Sequence, residues 1–94
     1  MMSKVAAALA WYSREEYSKF LDAADDPEVW DSDYESWRSK AEESIRKLAA
    51  MGVEAVRVSL TLEETEEWCR KRGKRNDGSA RSELAVSKLR TQTR

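Results

Sequence analysis

The sequence predicts a mainly helical α+β fold in the order β-α-α-β-α-α, with a small two-stranded sheet and pairing across a dimer axis as one way to complete it. Three observations lead there. Ser13, Ser32 and Thr61 each precede a glutamate by three residues, the spacing at which hydroxyl and carboxylate cap a helix start reciprocally. Gly52 and Gly73 each close an apolar helical pattern. Just after Gly52 the apolar period drops from about 3.6 residues to about 2.

The stretch 4–12, Lys-Val-Ala-Ala-Ala-Leu-Ala-Trp-Tyr, is the first element. Alanine favours helix, but Val5, Leu9 and Trp11 share one parity and the cap at Ser13 opens a new helix, so a strand is expected. The first helix then spans about Arg14 to Ala24, with Tyr17, Phe20, Leu21 and Ala24 on one stripe, and Asp25, Asp26 and Pro27 end it. From about Asp33, the positions of Tyr34, Trp37, Ala41, Ile45 and Leu48 define one face of the second helix. Its outer face offers Glu42 with Arg46 and Glu43 with Lys47 at i,i+4. Val56, Val58 and Leu60 alternate with Ala55, Arg57 and Ser59, which is the pattern of a half-buried strand. A third helix spans Leu62 to Arg72, and a fourth runs from about Ser79 to Thr91 behind a cap at Asp77 or Ser79, turning Ala80, Leu84, Ala85 and Leu89 inward.

Ninety-four residues, 40% apolar and 37% charged, suit one compact domain with a tail that frays over 91–94. A chain of this size buries only about two thirds of its extended surface, so a second subunit covering apolar area would help it. The apolar run near the start is too short to span a membrane and makes a poor signal peptide, and a lone cysteine suits a reducing compartment, so a cytoplasmic protein without a membrane partner is expected. With no histidine and one cysteine, the usual soft-metal ligand sets are absent, and neither metal nor cofactor is expected.

Charge is unevenly distributed along the chain. Residues 1–69 hold 8 Lys/Arg against 16 Asp/Glu, a balance of −8, and residues 70–94 hold 9 against 2, a balance of +7. The inversion is sharpest within Glu-Glu-Thr-Glu-Glu-Trp-Cys-Arg-Lys-Arg-Gly-Lys-Arg, 63–75. Acids in the first turns and bases in the last match the helix dipole, and Glu66 with Arg70 and Glu67 with Lys71 add i,i+4 pairs. Lys74, Arg75, Arg81, Lys88, Arg90 and Arg94 fall outside that explanation and extend the positive potential along the fourth helix.

The segments Ala-Trp-Tyr-Ser-Arg-Glu-Glu-Tyr, Tyr-Glu-Ser-Trp-Arg-Ser-Lys-Ala-Glu, Gly-Val-Glu-Ala-Val-Arg-Val-Ser-Leu and Glu-Glu-Trp-Cys-Arg-Lys-Arg-Gly resemble a family of short proteobacterial proteins with no established activity. Trp11, Tyr17, Trp37, Gly52, Trp68, Cys69, Gly73, Ala80 and Arg81 carry the likeness, which would cover nearly the whole chain. It implies a self-contained bacterial domain and no mechanism.

Candidate chemistry is sparse. Cys69 beside Arg70 and Arg72 is the one candidate nucleophile, but no histidine can act as its base and a position late in a helix disfavours thiolate; a small buried hydrophobe is the simpler reading. Asp31, Asp33, Glu35 and Glu42 fall on calcium-loop positions, yet Ser36 stands where that loop needs glycine and the same residues start a helix. Glu15 with Glu16 and Asp25 with Asp26 are acids with nothing converging on them. Trp30, in a loop, is either an interface anchor or a tether. What remains is a partner-binding surface made of Trp30, Trp68, Arg70, Lys71, Arg72, Lys74, Arg75, Arg81, Lys88 and Arg90. The expectation is a non-enzymatic, homodimeric interaction module meeting an acidic protein surface, with nucleic-acid binding through 70–94 as the alternative.

Overall fold

The structure, a computed structural model, describes residues 5–26, 28 and 30–92. Its elements follow the predicted order: β1 Val5–Trp11, α1 Arg14–Ala23, α2 Tyr34–Ala50, β2 Val53–Ser59, α3 Leu62–Arg72 and α4 Gly78–Gln92. Of the tail expected to fray, 91 and 92 are helical, while 93 and 94 lie outside the described residues, as do Lys4 and Pro27.

Capping decides where the helices begin. Ser13 accepts from the Glu16 amide at 3.1 Å, but the Glu16 carboxylate does not close the box; it accepts the Leu62 amide at 2.8 Å and so ties the start of α1 to the start of α3. Thr61 and Glu64 form the full reciprocal box, at 3.1 and 2.8 Å. The box expected at Ser32 is corrected. Asp33 caps α2, its carboxylate accepting from the Ser36 amide and hydroxyl at 3.1 Å, and Glu35 turns instead to Arg14. A carboxylate at the cap satisfies the free amides and also meets the positive end of the helix, an advantage no serine has. Gly73 stops α3 in the left-handed region, φ 64°, where a Cβ is unfavourable.

β1 and β2 pair in parallel, from Val5 opposite Val53 to Trp11 opposite Ser59, with α1 and α2 forming the crossover a parallel pair requires. Paired residues point to the same face, so Ala8 joins Val56 and Ala10 joins Val58. These pack on the core of Tyr12, Tyr17, Phe20, Val58, Leu60, Leu84 and Ala85. The small alanines of β1, rather than Val5, Leu9 and Trp11, therefore serve the core. Val5 is 63% exposed, and Trp11 meets Trp37 of α2 at 5.1 Å between ring centroids with the Arg57 guanidinium 4.5 Å above its ring. The predicted stripe of α2 is half-buried along its length, but no α2 residue is fully buried.

Six of the eight aromatic residues gather around Tyr12 and Tyr17, and Trp11 joins them through Trp37; Trp68 lies outside this set of ring contacts. Edge-to-face and tilted contacts of this kind add to the area they bury. Two tyrosine hydroxyls secure loop backbone: Tyr17 donates to the Asp31 carbonyl at 2.5 Å and Tyr34 to the Tyr12 carbonyl at 2.9 Å.

Candidate partner-binding surface

α3 and α4 form an antiparallel pair, since Lys88 near the end of α4 donates to both carboxylate oxygens of Glu64 near the start of α3, at 2.8 and 2.9 Å, and to the Ser59 carbonyl at 2.7 Å. At the other end of the pair Asp77 caps α4, accepting from the Ala80 amide at 3.0 Å, which resolves the two caps considered from sequence. Ala80, Leu84 and Ala85 are buried as expected.

The pair leaves Trp68 at the wall of two adjoining surface grooves. The larger, about 620 Å³, is lined by Trp68, Arg72, Ser82, Val86, Ser87 and Arg90 among others. The smaller, about 370 Å³, adds Lys71 together with Glu64 and Glu67. Arg72 folds back over the indole with its guanidinium carbon 4.2 Å from the ring centroid, a cation–π arrangement. The indole Nε1 is buried and has no hydrogen-bond partner among the described residues.

Only part of the predicted set comes together here. Trp68, Lys71, Arg72 and Arg90 share the groove wall, and Arg70 lies exposed on the far side of α3 beside Glu66. Arg81 is corrected outright: it is 5% exposed and grips Asp26 at 2.7 and 3.0 Å, with the Asn76 carbonyl and side-chain oxygens at 3.1 and 3.0 Å. Trp30 is a tether, stacked on Phe20 with an interplanar angle of 16°, under Arg81, its Nε1 donating to Asp26 at 3.2 Å. Lys74 pairs with Glu83 at 3.2 Å, Lys71 with Glu67 at 3.5 Å, and Arg75 donates to the Asp25 carbonyl at 3.0 Å. The charge separation along the chain is thus undone in part, where Arg81, Lys71 and Lys88 meet Asp26, Glu67 and Glu64.

Electrostatics at the clamp follow from these contacts. Burial opposes the Asp26 carboxylate, but the Arg81 and Trp30 hydrogen bonds and the Arg81 charge outweigh it and hold its pKa below the usual value. Burial also drives Tyr12, against the partly compensating charge and hydrogen bond of Arg81, up to about 12. Asp25 and Asp26, on which nothing was expected to converge, receive the Asn76 and Gly78 amides at 2.8 and 2.9 Å. One signal for this was present in the sequence: Arg81 stands three and four residues before Leu84 and Ala85, on the inward stripe itself.

The other candidates dissolve into local roles. Cys69 is buried, its thiol pKa is raised by that burial, and Sγ donates weakly to the Arg75 carbonyl at 3.6 Å. Asp31, Glu35 and Glu42 pair with Lys40, Arg14 and Arg38 respectively while Asp33 caps a helix, and no metal-holding group of three or more ligating side chains exists among the described residues. Among the same residues no helix is long and apolar enough to cross a membrane.

Fold and surface together define a mainly helical α+β domain built on one parallel strand pair, with a tryptophan-centred groove on its α3–α4 face. Compared with protein-family models, curated proteins and solved structures, the chain matches none. The likeness carried by Trp11, Trp37 and Trp68 accordingly assigns no family.

Proposed function

We propose that the protein is a non-enzymatic interaction module, homodimeric, that receives an acidic protein surface in the groove around Trp68. The observation that carries this reading is the placement of Trp68: it packs at the margin of the core away from the other aromatic rings, and it lines a groove together with Arg72 and Arg90. Tryptophan and arginine dominate binding hot spots because they bury large area and keep directional polar contacts, while cations at the rim speed encounter with an acidic partner. The buried thiol of Cys69 suits a reducing compartment, which favours the cytoplasm.

Nucleic acid finds less support, because Lys71, Lys74 and Lys88 are each paired with a glutamate of the same chain, leaving few cations to displace counterions from a phosphate backbone. Calorimetry against an acidic peptide carrying a leucine anchor, a basic peptide and duplex DNA tests the reading. Only the acidic peptide is expected to bind, and Arg72→Glu with Arg90→Glu to weaken it at least tenfold. Failure of the acidic peptide to bind at low salt overturns the proposal, and steeply salt-dependent DNA binding would replace it.

A further inference from the structure

In a two-stranded sheet both strands are edges, and an edge presents a row of N–H and C=O groups to any chain that can pair with it. The phase of this ladder is fixed by Leu60, whose amide donates to the Trp11 carbonyl at 3.0 Å while Trp11 stands opposite Ser59. In a parallel ladder that phase directs the odd residues of β1 and the even residues of β2 toward each other. Ala6, Ala8 and Ala10 consequently turn their backbone groups outward on one edge, and Val53, Ala55, Arg57 and Ser59 do so on the other.

The two edges differ in how they are protected. On β2 the strand carries Glu54 and Arg57, and the Ser59 carbonyl is already occupied by Lys88. β1 is Val-Ala-Ala-Ala-Leu-Ala-Trp, without charge or proline, and its register against β2 is unbroken by any bulge; three of the usual devices that discourage edge pairing are thus missing from it. Cover on the α2 side is also thin, since Val5 is exposed and α2 buries no residue fully.

We propose that β1 pairs antiparallel with β1 of a second copy about a two-fold axis through Ala8, making one four-stranded sheet in the order β2-β1-β1-β2. Laid on itself in reverse, the span 5–11 sets Ala6 opposite Ala10 of the partner subunit and Ala8 opposite Ala8 of the partner subunit, so that every outward residue of the strand enters a hydrogen-bonded pair. Val5 falls opposite Trp11 of the partner subunit, a β-branched and aromatic pairing that covers an exposed side chain. The β2 edge is less suited to the same self-pairing, because Lys88 already occupies the Ser59 carbonyl. This inference rests on the homodimeric part of the reading above and uses a different surface from the Trp68 groove.

Sedimentation equilibrium over a wide concentration range, with circular dichroism, tests it on the full chain and on Ala6→Pro and Ala8→Pro. Proline at an outward position removes no bond to β2, so both variants are expected to keep the native spectrum and to sediment as monomers while the unchanged protein is a dimer. Amide exchange on the unchanged protein gives a second readout: Ala6, Ala8 and Ala10 are expected to be protected in the dimer, and this decides the matter should the prolines unfold the chain. A monomer at every concentration overturns the proposal, as does a dimer that survives both prolines or exchanges those amides freely. A monomer that accepts an added extended peptide at β1 overturns the choice of a second copy. Dimerisation lost through Arg72→Glu would move the seam to the groove and also defeat it, whereas loss of acidic-peptide binding with the dimer intact defeats only the groove reading.

Discussion

Arg81 and Asp26, 55 residues apart in sequence, meet in a two-pronged ion pair, Nη2 to Oδ2 at 2.7 Å and Nη1 to Oδ1 at 3.0 Å. Their side chains are 6% and 13% exposed, so this pair is inside the protein and joins the loop after α1 to the start of α4. Such a pair adds little over a well-packed apolar substitute, but losing one member strands the other charge. Asp26→Ala is therefore expected to lower stability by about 3–5 kcal/mol, and Asp26→Ala with Arg81→Met to recover part of it. Urea unfolding checks this, and a loss below about 1 kcal/mol, the level of a surface pair, contradicts the assignment.

Alkaline pH should loosen the same region. Tyr12 titrates near 12 in the folded protein because it is buried, against about 10 when unfolded. Between those values the unfolded chain releases a proton that the folded chain retains, so stability is intact below about pH 10 and declines as pH rises toward 12, by on the order of a few kcal/mol. Thermal melts across this range should show the decline, and Tyr12→Phe should flatten it.

Acid acts in the opposite sense through Glu16. The Leu62 amide, with Lys19 adding to it, holds its carboxyl below the usual value. Its contribution is present above the ordinary carboxylate range and disappears as pH falls through the lowered folded value. Glu16→Gln should cost about 1 kcal/mol at neutral pH and reduce the steepness of acid unfolding.

Gly73→Ala should cost about 1 kcal/mol. Nothing lies within 4 Å of where the new Cβ would be, so the whole penalty comes from φ 64°, and Gly73→Asn should cost less. Equilibrium unfolding of the two variants separates backbone strain from crowding.

Cys69 should react with a thiol reagent far more slowly than free cysteine in the native protein, because it is buried with a raised pKa. Rates that match the unfolded chain in denaturant only after unfolding would agree; a fast native reaction would return Cys69 to the list of functional groups.

Local pattern made most of the fold legible. Thr61 with Glu64 started α3 where the box indicated, Gly73 stopped it, and alternation through Val56, Val58 and Leu60 marked β2, because each of these signals acts over a few residues. The candidate surface was less legible, since pairing across the chain decides exposure. Nothing near Asp26 announces Arg81, and nothing near Lys88 announces Glu64, 24 residues away. Glu42 with Arg46 was a sound local expectation, yet Glu42 takes Arg38 at the opposite i,i+4 spacing; exposed pairs differ so little in energy that spacing does not choose between them.

The parallel pairing of Val5 with Val53 also orders events in time. The first strand has no ladder to join until everything between has been traversed, and bringing its ends together costs more chain entropy than any helix contact here. Helical turns and their caps can settle early and locally, while the sheet closes late and sets the overall rate. Until that closure the alanine-rich segment is a bare strand in search of any mate, so crowded refolding should favour aggregates over native protein unless dilution or rapid docking intervenes.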